Sequence, residues 1–203
     1  MAPSMAYLGP GGSLGAAAFM TEGLLSHTRE RQPGEVERHH HSPGALGPQR
    51  GSTLGASQET GDTILNVNVK SPALLLSQLL PHMEKRGRGV VILVSSIAAY
   101  QPQWDAGAYT VSNTALLGLT RTLSMELAPK GIRVNCLVPG VIETHFSQMV
   151  STGASVWSRP LLVFPCRIGQ PEDCSGLVSF LCSPDASCIT GENIVVSGCS
   201  THL

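Results

Sequence analysis

An α/β fold built on a parallel sheet is what the middle of this 203-residue chain encodes, and two observations predict it. Val90-Val91-Ile92-Leu93-Val94 is continuously apolar, the pattern of a strand buried on both faces. Ala115 to Leu127 then runs at helical spacing, and Ile132-Arg133-Val134-Asn135-Cys136-Leu137-Val138 reads as a second strand, closed by Pro139-Gly140. Strand, helix and strand joined by short links give a right-handed crossover and parallel pairing.

Taken in order, the elements are unevenly specified. Residues 1–50 are expected to form an irregular, flexible leader, because 11 of the 22 glycines and 5 of the 14 prolines lie before residue 63, a composition poorly suited to packing. Within it, Glu35-Val36-Glu37-Arg38-His39-His40-His41-Ser42-Pro43-Gly44 places charged and imidazole groups where no doubly buried strand tolerates them. The three histidines would alternate faces in an extended segment and have no carboxylate or cysteine cluster nearby, so a solvated loop is expected and no metal site. From residue 51 to 203 a single domain portion is expected. Its helix at Leu74–Met83 leads to the Val90–Val94 strand, whose carboxyl end delivers Ser95-Ser96. Tyr109 follows in Gly107-Ala108-Tyr109-Thr110-Val111-Ser112-Asn113, thirteen residues after Ser96. Ser147 to Arg159 is Ser-rich and is expected to be irregular. A helix is expected to start near Arg167-Ile168-Gly169-Gln170-Pro171-Glu172-Asp173, with Asp173 in its first turn, and to end near Ser183-Pro184-Asp185.

Composition excludes several roles. A formal charge of −1 and a pI near 6.6 give no electrostatic reason to bind nucleic acid or an anionic membrane. No apolar run is long enough to span a bilayer, and no charged start precedes an apolar stretch, so a soluble, intracellular protein is expected. The six cysteines, from Cys136 to Cys199, lack C-x-x-C spacing and are expected as free thiols. Thr201-His202-Leu203 is a poor relative of Ser-Lys-Leu, and peroxisomal import is not expected.

Serine at a strand end, Tyr-x-x-x-(Lys) on the next helix, Arg-Val-Asn-x-x-x-Pro-Gly-x-x-x-Thr at residues 133–144 and a late Gly-Glu-Asn-Ile-Val-Val stand in the order and spacing of the short-chain dehydrogenase/reductase family. The chain resembles that family from about Gly51 to Leu203, and its mammalian carbonyl reductases above all in Asn66–Leu74 and Ser95–Tyr100. The resemblance implies part of a Rossmann-type doubly wound sheet and an NAD(P)-dependent oxidoreductase acting on a small carbonyl or alcohol substrate. It implies roles for single residues too. Tyr109 would pass a proton to or from the carbonyl oxygen, Ser96 would orient that oxygen, and Asn68 would hold a water in the proton relay. Pro139, Gly140, Val141, Ile142 and Thr144 would hold the nicotinamide carboxamide of NADP(H) or NAD(H). The helices Leu74–Met83 and Ala115–Leu127 correspond to the family's dimer surface, so a homo- or hetero-oligomer is expected. The compartment implied is mitochondrial, nuclear or cytoplasmic.

Two departures weaken the enzyme. Asn113 stands where the family has its lysine, and without a cation beside it Tyr109 has little reason to ionise near neutral pH. Asn113 could still hydrogen-bond a ribose hydroxyl. The second departure is the cofactor half. Met5-Ala6-Tyr7-Leu8, then Gly11-Gly12-Ser13-Leu14-Gly15-Ala16-Ala17 and an apolar stretch to Leu25 only loosely imitate the strand, glycine turn and helix that bind a pyrophosphate. About 53 residues separate Gly15 from Asn68, where the family the chain resembles has nearly twice as many, so the Val90–Val94 strand is expected to have a bare edge. A truncated or divergent oxidoreductase, weak or inactive, is therefore expected. The alternatives are a non-catalytic protein that docks on full-length relatives and a chain with no stable fold.

Overall fold

The computed structural model describes residues 4–7, 16–20, 53–102, 106–143 and 168–198. Five strands form one sheet in chain order: β1 (Ser4–Tyr7), β2 (Ala16–Met20), β3 (Gly89–Val94), β4 (Ile132–Pro139) and β5 (Asn193–Val196). β2 to β5 are parallel, and β1 is antiparallel to β2. Four α-helices accompany them among the described residues: α1 (Gln58–Leu65), α2 (Ser71–Arg86), α3 (Gly107–Leu127) and α4 (Pro171–Cys182).

The strand period assigns the core. Val90, Ile92 and Val94 point to one side of β3, where Cys174, Val178 and Leu181 of α4 cover them. Val91 and Leu93 point to the other, against Leu76 and Met83 of α2 and Leu116 and Leu127 of α3. All six residues of β3 are buried, as a strand covered on both faces requires. Helix ends follow local chemistry. Gly87 closes α2 in the left-handed region (φ 63°), and Asp173 accepts from the Gln170 N–H at 2.7 Å to cap α4, one residue before Pro171.

Between α1 and α2 the helix widens into a π turn at Asn66–Lys70. Pro72 has no N–H to offer the Asn68 carbonyl four residues back, and its ring crowds that carbonyl, so the i to i+4 ladder cannot pass this point unchanged. The Ser71 N–H bonds the Asn66 carbonyl instead.

Two expectations are corrected. The Val90–Val94 edge is not bare: Ala16–Ala18 pair with Val90–Ile92. The leader expected to be irregular contributes β1 and β2, and the apolar stretch after its glycines runs as a strand from Ala16 to Met20. Alanine is a weak strand former, so local preference does not explain β2. The unpaired N–H and C=O groups of β3 supply the template, a tertiary effect. The histidine run, residues 144–167 and the last five residues lie outside the described residues.

Candidate functional site

The carboxyl end of β3 sends its two serines in opposite directions, as the strand period demands. Ser95 is buried and its hydroxyl donates to the Asn113 carbonyl at 2.9 Å. Ser96, in extended conformation, caps the 3₁₀ turn Ile97–Ala99 by accepting from the Ala98 N–H at 3.2 Å and also bonds the phenol of Tyr109. Strand end and helix α3 thus meet at two points, which brings Ser96, Tyr109 and Asn113 together.

Tyr109 is half-buried. Burial pushes its pKa above the usual 10.0, while hydrogen bonds to Ser96 and Asn113 pull it back. None of these influences is a cation. Asn113 lies four residues on, 3% exposed, with Nδ2 donating to the Tyr109 carbonyl at 2.9 Å. A short amide inside a helix thus bonds back to its own i−4 carbonyl, where a lysine would extend past it.

Asn68 comes to the same place from the π turn. It is 6% exposed and its Nδ2 donates to Ser112 Oγ at 3.0 Å, while its Oδ1 is buried with no partner among the described residues. Ser112 Oγ in turn donates to the Tyr109 carbonyl at 2.7 Å. The sequence reading missed Ser112 and Ser95 as members of the cluster. The signal for Ser112 was its place on α3, three residues after Tyr109, one helical turn on.

The carboxyl end of β4 forms the second wall. Pro139 is buried at the strand end, and the Gly140 N–H donates to the Val196 carbonyl at 2.9 Å. A Cβ at Gly140 would lie 2.7 Å from Ser197 Cβ and 2.8 Å from its Cα, so approach to β5 alone requires glycine there. Ile142 bridges Gly169, with the Gly169 N–H on the Val141 carbonyl (2.9 Å) and the Glu143 N–H on the Gly169 carbonyl (2.7 Å). In a parallel bridge this turns the N–H and C=O of Ile142 to the opposite side. One donor beside one acceptor fits a primary carboxamide such as that of nicotinamide. Thr144 lies outside the described residues.

The phosphate end fits less well. The glycine-bearing stretch lies between two antiparallel strands, whereas a dinucleotide turn leads from a strand into a helix whose amino end meets the phosphates. Among the described residues no His/Cys/Asp/Glu cluster could hold a metal. Cys136, Cys174, Cys182 and Cys188 are free thiols, and burial pushes Cys136 up to about 12 and Cys174, helped by Asp173, up to about 11. These two are poor nucleophiles. Among the described residues no helix is long and apolar enough to cross a membrane.

Residues 21–201 match the family model described as Enoyl-(Acyl carrier protein) reductase. The chain is 63% identical over 159 residues to human "Dehydrogenase/reductase SDR family member 2, mitochondrial", covering 78% of this chain and 56% of that protein. It is 52% identical over 158 residues to human "Dehydrogenase/reductase SDR family member 4", covering 77% and 57%. It therefore spans little more than half the length of these curated relatives. Among solved structures, 3-ketoacyl-(acyl-carrier-protein) reductase from Brucella melitensis complexed with NADH superimposes with a TM-score of 0.65 at 29% identity, covering 76% of this chain and 63% of that one.

Proposed function

The chain belongs to the short-chain dehydrogenase/reductase family, and from that premise we propose that it is an NAD(P)-dependent oxidoreductase of the carbonyl-reductase type, weak or inactive first for want of a strand, turn and helix to hold the cofactor pyrophosphate and second for want of a cation beside its proton-donating tyrosine. The observation that carries this reading is Asn113 in the lysine's place, a neutral amide that bonds the Tyr109 carbonyl at 2.9 Å and the phenol and brings no charge to either.

A nicotinamide cofactor, when bound, supplies the hydride. Ser96 and Tyr109 hold the substrate's carbonyl oxygen, and the Tyr109 proton passes to that oxygen as negative charge develops on it. A phenolate remains and must be stabilised and reprotonated. A cation about 4 Å away, at an effective dielectric of about 20, would contribute on the order of 4 kcal/mol at most, close to three pKa units. Here Tyr109 has only neutral partners and a desolvated phenol. At the other wall, Ile142 offers the carboxamide its backbone N–H and C=O, with Pro139 and Gly140 fixing the strand end beneath.

NADPH or NADH added to the purified chain at about 1 mM is expected to raise the melting temperature hardly at all, since a Kd no tighter than about 1 mM adds no more than about 0.4 kcal/mol. Micromolar binding by calorimetry would overturn the weak-cofactor part of this reading. Steady reduction of a dicarbonyl by the unaltered chain would overturn the rest.

A second reading, a non-catalytic protein docking on full-length relatives, draws on a different observation. Leu74 on α2 and Val111 and Met125 on α3 are exposed, Met125 to 79%. Co-purification with a full-length relative, lost in Met125→Glu, is the expected result; a monodisperse monomer in the presence of excess relative would count against it.

A further inference from the structure

Ser112 takes no part in the proton transfer proposed above, yet it is fully enclosed, at 0% exposure, and joins two elements that carry the site. Its hydroxyl has a single proton. That proton goes to the Tyr109 carbonyl at 2.7 Å, so toward Asn68 the Ser112 oxygen can only accept. Asn68 must therefore present Nδ2 at 3.0 Å, because turning its amide over would set two acceptors against each other. Oδ1 then faces the other way, buried and without a partner among the described residues. The π turn adds to this, since Pro72 withholds the i+4 N–H that the Asn68 main-chain carbonyl would otherwise receive.

A buried acceptor is rarely left unpaired, and each such atom calls for a partner outside the chain. We propose that Ser112 is a positioning residue: by holding the amide nitrogen of Asn68 it fixes Oδ1 as an acceptor for a small hydroxylic donor, a water or a substrate hydroxyl. Its role in turnover rests on the oxidoreductase reading; the orientation of the amide does not. Replacing Ser112 removes both the acceptor that selects Nδ2 and the anchor to α3, so the amide loses its preferred sense.

The measurement is solvent exchange of the Asn68 side-chain amide pair by nitrogen-resolved NMR, with the pair assigned by its disappearance in Asn68→Ala. In the unaltered chain the pair should exchange at least about tenfold more slowly than exposed asparagine amides. In Ser112→Ala that protection should be lost, while the backbone amides of Val91 and Ile92 in β3 keep theirs. If Asn68 and the β3 amides accelerate by the same factor, Ser112 only stabilises the fold and the proposal fails. It fails equally if the Asn68 pair of the unaltered chain exchanges at the exposed rate, a result that needs no variant to fold. Ser112→Thr, which keeps the hydroxyl, should retain the protection. No dinucleotide or turnover enters these experiments, so an inactive chain can pass them and an active one can fail.

Discussion

Tyr109 is the residue on which the proposed activity turns, and its environment sets a sign. Burial raises its pKa above 10.0, and the bonds from Ser96 and Asn113 offset that only in part. Of the three tyrosines, Tyr109 should therefore add no tyrosinate absorbance at about pH 9, so the chain and Tyr109→Phe should match there. In an Asn113→Lys background the same comparison should show tyrosinate from Tyr109, because the added cation favours the charged form. Equal spectra in that background would mean that the lysine does not reach the phenol. Cys136 makes a separate statement about stability. Its thiol titrates near 9.0 when unfolded and is pushed up to about 12 by burial in the fold, so the folded state prefers the neutral form. That preference is fully present below pH 9 and is lost as pH rises from 9 to about 12, on the order of 4 kcal/mol in all. Thermal unfolding should thus be flat from neutral pH to about 8.5 and fall above 9. Cys136→Ser, which does not ionise there, should flatten the fall, leaving a smaller one from Cys174 and Cys182, whose thiols burial also raises.

Helix α3 was legible as an element because its spacing is local, and so was the 13-residue step from Ser96 to Tyr109. What seats the helix was not. A Cβ at Gly107, the first residue of α3, would lie 1.8 Å from Thr53 Oγ1 and 2.6 Å from Thr53 Cβ. Gly107→Ala should therefore destabilise the chain by about 1–3 kcal/mol in chemical denaturation. Thr53→Gly in the same chain should return most of that loss; no recovery would place the cause in the helix backbone. The π turn belongs to this scale as well. Pro72, four residues after Asn68, is its sequence signal, and it explains why the segment widens where a polar side chain must enter the site.

At the scale of the whole molecule, two parallel crossovers carry β3, β4 and β5 and bring the Tyr109 cluster to the carboxyl ends of β3 and β4. The β3 edge is closed by β2, which pairs antiparallel with β1. The pairing satisfies backbone groups of β3, and among the described residues no helix amino end follows β1 or β2 to meet a pyrophosphate. Asn113→Lys alone should consequently give no NADPH-dependent reduction of a dicarbonyl, since positioning the nicotinamide accounts for much of the barrier reduction. The same substitution in a chimera that replaces residues 1–50 with a family amino-terminal half should be active. Activity in the single variant would reverse that ranking.

Hydrophobic period, turn residues and the spacing of Ser96, Tyr109 and Asn113 are properties of near neighbours, so the α/β class, β3, α3, β4 and the lost lysine could be read from the chain alone. The tertiary structure decided the rest. Asn68 and Ser112 meet across 44 residues of chain, and β2 finds the β3 edge from more than 70 residues away. These are contacts between distant segments competing for unpaired polar groups, and no local window of sequence contains both partners.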